Sequence, residues 1–239
     1  MKHQFDAFID DLRGTHGRNL ASVILYGSAA AGDFVPNKSH YNLLIALHEI
    51  TPKDLRSAQA PMREWHRMGH PVPVYFTVAE LERAADVFPI EFHQMESARI
   101  LLYGTDVLAD LNISDEHLRH QTEYELRSKL IQLRRQYIPA STSVSGLINL
   151  MAESLSSFAS IFRAVLIIQG FKPPVTKHEI IAATVKELKI DGKSFEKIFQ
   201  IRENNSSNML DEVSANALFA DYMQQIEKVI ESVDRVQGD

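Results

Sequence analysis

Between residues 22 and 32 the chain reads Ser22-Val23-Ile24-Leu25-Tyr26-Gly27-Ser28-Ala29-Ala30-Ala31-Gly32, and no other stretch constrains the fold as tightly. Its first five residues are short, apolar and rich in β-branching, which suits a buried strand. The three alanines favour a helical turn. Gly27-Ser28 is all that separates the two, so the chain must pass from strand to helix through one tight turn. A polar loop with Pro36, Asn37 and Lys38 follows, and then Tyr41-Asn42-Leu43-Leu44-Ile45-Ala46-Leu47, a second strand-like run expected to lie beside the first.

The flanking segments supply the layers around this pair. Phe5, Phe8, Ile9 and Leu12 fall on one helical face and Gly14 and Gly17 close it, which gives an opening amphipathic helix. Thr51-Pro52 starts another helix, with proline in the first turn where its missing N–H does no harm, and Gly69 is placed to end it. A third strand is expected over Val72–Phe76, and Thr77 with Glu80 forms a capping box for the next helix. Strands separated by helices indicate an α+β layer over residues 1–110.

From Ser114 onward the texture changes. Leu126, Leu130, Leu133 and Tyr137 mark one helical face, and Leu147, Leu150, Leu155, Phe158, Phe162, Val165 and Leu166 mark another. Thr176 and Glu179 make a second capping box, Asp191-Gly192 a turn, and a last helix is expected over Val213–Val233. Residues 111–239 therefore read as an all-α bundle of about five helices. The expected fold class is α+β: a mixed sheet with helices, followed by this bundle.

Composition narrows the chemistry. With no cysteine, disulfides, thiolate metal sites and a cysteine nucleophile are excluded, and a reducing cytoplasm is the expected location. The first residues lack the unbroken apolar core of a signal peptide, and the most apolar stretch, Ala164–Gly170, falls short of the ~20 residues a bilayer span needs, so no membrane partner is expected. A net charge of −6 disfavours extended phosphate-backbone binding, and nucleic acid is not an expected partner. Arg127, Lys129, Arg134 and Arg135 read as a solvated helix face.

The turn and the second strand together resemble the nucleotidyltransferase superfamily that includes the aminoglycoside nucleotidyltransferases. The resemblance rests on an apolar strand, Gly27-Ser28, small residues, Gly32, a loop, and Ser39-His40-Tyr41-Asn42-Leu43-Leu44. It implies a Gly-Ser turn whose N–H groups and hydroxyl receive triphosphate oxygens. It also implies Asp-x-Asp opening the second strand, two carboxylates pointing the same way and holding Mg²⁺. In this chain those two positions are His40 and Asn42. The third carboxylate that the family adds on a later strand has no counterpart in Pro71–Thr77, which contains no acid. Asp33 stands in the loop too early to replace either position. The helical half resembles the bundle attached to several of these enzymes.

The resulting expectation is a catalytically degenerate nucleotidyltransferase-fold protein that binds a nucleotide or another anion at Gly27 and Ser28, with no catalytic residue and no metal. The bundle would serve a protein partner or a small ligand. The alternative is an active metal-dependent transferase that modifies a small molecule or a protein hydroxyl, using Asp33, His40 and a distant acid around Mg²⁺. A third reading makes the fold a docking surface. Other candidates carry less: His66 and His70 read as surface histidines, Trp65 as a packing residue, and Ser156 and Ser157 as small residues at a helix contact. Arg202 has none of the histidine that a helical ribonuclease motif would need over Glu203–Met209 and reads as an ion-pair residue.

Overall fold

A computed structural model describes residues 5–34, 40–204 and 210–236, with the side chains of residues 203 and 204 excepted. The polar loop of Pro36, Asn37 and Lys38 lies outside the described residues, as does most of the Glu203–Met209 stretch. The chain forms two compact units, residues 1–115 and 116–239.

In the first unit, helix α1 (Asp6–His16) buries Phe8, Ile9 and Leu12. Strand β1 (Leu20–Tyr26) runs into α2 (Ser28–Ala31), and β2 (Asn42–Leu47) follows. β1 and β2 pair antiparallel, with Tyr26 opposite Asn42 and Leu25 opposite Leu43. β3 (Val74–Thr77) adds parallel to β2, and β4 (Arg99–Gly104) adds antiparallel to β1, which gives the order β3-β2-β1-β4. Both central strands are covered on both faces. Val23, Leu25, Leu43 and Ile45 pack with α1 and Trp65, whereas Ile24, Leu44 and Ala46 pack with Leu81, Phe92 and Met95 on the other side. That alternation is the period of two expected of a strand.

Three features differ from the sequence reading. The helix begun at Thr51 is two helices, α3 (Pro52–Ser57) and α4 (Gln59–Arg67), broken at Ala58. Pro61 accounts for the break, because it has no N–H to give Ser57 and its ring crowds that carbonyl. β3 starts at Val74 instead of Val72. Pro71 and Pro73 cannot donate to a ladder, so pairing begins after them. β4 was not expected at all. Beyond it, residues 105–115 fold back on this unit: Asp106 pairs with Arg99 at 2.9 Å, Leu108 is buried, and Asp115 meets His93 at 2.6 Å. These contacts lie within the first unit, residues 1–115. The remaining helices are α5 (Val78–Ala84), started by the Thr77–Glu80 capping box, and α6 (Pro89–Ser97), started by a proline in its first turn.

The second unit is a bundle of α7 (Leu118–Ala140), α8 (Val144–Ile168), α9 (Lys177–Leu188), α10 (Lys193–Asn204) and α11 (Glu212–Asp234). Thr176 and Glu179 form their capping box at the start of α9, and Asp211 caps α11 through the Ser214 N–H. The other four helices all pack on α8. This explains its composition. α8 is long and apolar enough to cross a membrane by length and composition, a longer apolar segment than Ala164–Gly170 alone suggested, and in the bundle Leu155, Phe158, Phe162 and Val165 are buried among its neighbours. Two arginines of α7 are tied to α11: Arg127, which also bonds Glu123 within α7, bonds Asp234, and Arg134 bonds Glu227.

Candidate functional site

The turn between β1 and α2 is held by its backbone. Gly27 adopts φ 78° and ψ −150°, a combination open almost only to glycine. Its carbonyl accepts from the N–H groups of Ala30 and Ala31, and the Ser28 carbonyl accepts from Asp33. Gly32 then leaves the helix in the left-handed conformation at φ 82°. Gly27, the N-cap of α2, has no side chain to cap it, and among the described residues no side-chain cap bond is made at this helix start. Gly27 is buried and Ser28 half-buried.

The side chains around this turn come from three elements. Asn42 opens β2 beside Tyr26, and a Cβ placed on Gly27 would stand 3.2 Å from the Asn42 carboxamide nitrogen and 4.0 Å from that of Gln94. Gln94 arrives from α6, which packs on β1. Glu91, one turn earlier on α6, is the acid that reaches this neighbourhood: burial raises the Tyr26 phenol above its ordinary value, and the Glu91 carboxylate raises it further. Neither Gln94 nor Glu91 was singled out in the sequence, because they reach the turn through tertiary packing from a segment without a motif.

His40 is exposed, and its charge helps burial lower the pKa of His70. His70 is not the surface residue that its position suggested. Gly69, at φ 87°, turns the chain back over α4, so the His70 ring lies 4.7 Å from Trp65 and 4.8 Å from Tyr41 between centroids. Its Nδ1 is buried without a hydrogen-bond partner among the described residues. Trp65 is a packing residue, as expected: it is 1% exposed, stacks on Phe8 at 4.5 Å, and donates Nε1–H to the Pro71 carbonyl. His66 is exposed on α4.

The donor set does not fit Mg²⁺. That ion requires hard, preferably anionic oxygen ligands in near-octahedral geometry. An imidazole and a carboxamide stand at the two strand positions, and no group of three or more His, Asp or Glu among the described residues is placed to hold a metal ion. What the arrangement offers is a glycine-dependent backbone turn at a helix start, a hydroxyl and two neutral carboxamides. These can hydrogen-bond an anion or a polar ligand directly.

A four-stranded mixed sheet carrying a Gly-Ser turn between its first strand and a short helix, followed by an all-helical unit, is a nucleotidyltransferase-like fold. No protein-family model matches the chain, and no curated protein sequence is significantly similar to it. Among solved structures, the crystal structure of the spectinomycin adenyltransferase AAD(9) from Enterococcus faecialis with ATP and spectinomycin is similar over 98% of this chain and 99% of that one, with a TM-score of 0.58 and 12% sequence identity. At that identity the likeness is one of fold.

Proposed function

We propose that this chain is a binding or regulatory protein on a nucleotidyltransferase-like fold, taking a nucleotide or another anion at Gly27-Ser28 without metal-dependent nucleotidyl transfer. One observation carries the reading: the glycine-specific turn is kept in full, while β2 opens on Asn42 with His40 before it, where two carboxylates would be needed for metal. A turn of N–H groups and a hydroxyl binds anions by hydrogen bonding alone. Neutral Asn42 also removes the repulsion that a carboxylate facing a phosphate would create without a metal between them. The chain has no cysteine to form a disulfide, and the proposed setting is the cytoplasm.

The test is thermal unfolding of the full chain with each nucleoside triphosphate, with and without Mg²⁺ or Mn²⁺, because a ligand of the folded state raises its melting temperature. Trp65 is the sole tryptophan and is buried in the first unit, so its fluorescence reports that unit alone. Stabilisation that does not depend on metal is the expected result. Stabilisation that requires metal would overturn the proposal and direct attention to Asp33, His40 and Glu91 as an atypical metal site. No stabilisation by any nucleotide would leave the fold as a docking surface.

A further inference from the structure

The second unit holds a groove that the Gly27-Ser28 reading does not use. α9 and α10 each pack mainly on α8, and between them lies a cavity of about 520 Å³. That volume falls within the ~300–1,000 Å³ of small-molecule sites. The space has a sequence cause. His178, Ile181 and Val185 reach into the gap from α9, but position 182 between them is an exposed alanine. One end is sealed, because Gly192 sits so close to Val185 that a Cβ there would lie 2.8 Å from Cγ1. Phe195 and Phe199 form the aromatic floor.

Charge selects what fits. Glu196 is the acid of the lining: its Oε2 reaches from α10 across to His178 Nε2 on α9 at 3.1 Å, and its Oε1 accepts from Gln200 Nε2 at 3.2 Å. Two lysines, one helical turn apart on α10, remain at the rim. Lys193 has Asp191 at 3.6 Å with both groups exposed, a loose contact, and Lys197 makes no ion pair among the described residues. Two ammonium groups therefore stand at the rim above an aromatic floor, against the single carboxylate of Glu196 in the lining. The His178 ring already stands edge-on to Phe199 at 4.9 Å, the contact geometry an aromatic guest would extend. A peptide helix is ~10–12 Å across with its side chains and would overfill this volume.

We propose that the α9–α10 groove is a binding site for a small flat aromatic acid, its ring over Phe195 and Phe199 and its anionic group between Lys193 and Lys197. The site contains no residue of the first unit, so it stands or falls independently of nucleotide binding there.

Calorimetric titration of the full chain with 2-naphthoate, 2-naphthylmethylammonium and 2-naphthylmethanol tests it. The expected result is saturable one-to-one binding of the naphthoate, with the ammonium weaker by about fivefold or more, as reversal of an exposed charge contact requires. Lys197→Glu should reverse that preference and Ala182→Trp, at an exposed position, should fill the groove and abolish binding, while Ser28→Ala leaves it unchanged. Absence of binding, equal binding of the ammonium, or unaltered binding by folded Ala182→Trp would overturn the proposal.

Discussion

Replacing Gly27 by alanine is the sharpest perturbation of the proposed site. At φ 78° and ψ −150° the backbone occupies a region where any Cβ is strained, which costs about 1–3 kcal/mol. The new methyl would also press on the Asn42 side chain at 3.2 Å, a contact relieved only if Asn42 shifts. For a unit of this size about 1 kcal/mol lowers the melting temperature by roughly 4 °C, so Gly27→Ala should lower it by about 4–12 °C. Gly32→Ala provides the scale: its φ of 82° is left-handed, but nothing lies within 4 Å of the added methyl, so it should cost about 1 kcal/mol. The assay is Trp65 fluorescence during thermal unfolding, with Gly27→Ala/Asn42→Ala separating crowding from backbone strain. Truncating Asn42 should recover only the crowding part. A Gly27→Ala variant that melts with wild type, or one rescued fully by Asn42→Ala, would refute the reasoning.

Three other outcomes follow from the same geometry. His40→Asp with Asn42→Asp should create Mg²⁺ binding measurable by calorimetry, and a folded double variant that gains none would show that these positions are not the metal positions. Ser28→Ala should weaken anion binding at the turn by about 1 kcal/mol, and an affinity equal to wild type would place the ligand elsewhere. Burial lowers the pKa values of both His16 and His70 below 6.5. The unfolded chain then binds more protons than the folded one just below that pH, so the stability of the first unit should fall as pH drops through about 6.5. Unfolding monitored at Trp65 should show this slope, and His16→Gln should flatten it. A stability that rises on acidification would contradict the assignment.

Much of this architecture was readable from local pattern, because local pattern fixed it. The apolar run ending at Tyr26, the continuous apolar run of β2 and the two Thr-x-x-Glu boxes each specify an element through contacts within a few residues. What escaped was set at longer range. Every residue of β4 from Arg99 to Tyr103 is half-buried, so the strand lacks a distinct apolar face and exists through pairing with β1. His70 read as a surface histidine beyond the helix end at Gly69, and its packing against Trp65 and Tyr41 is a tertiary contact that no local pattern marks. At the site, Gly27, Ser28, His40 and Asn42 formed a recognisable string. Gln94 and Glu91 did not, since the packing of α6 on β1 and nothing in their own surroundings brings them to the turn.

The account stands on metal-independent recognition at the Gly27-Ser28 turn. Isothermal titration of ATP into the wild-type chain, once in EDTA and once in excess Mg²⁺, tests this most directly, with each of the other triphosphates titrated in turn if ATP gives no heat. The account predicts a triphosphate that binds in EDTA with an affinity no weaker than in Mg²⁺; binding seen only with Mg²⁺ present would contradict it.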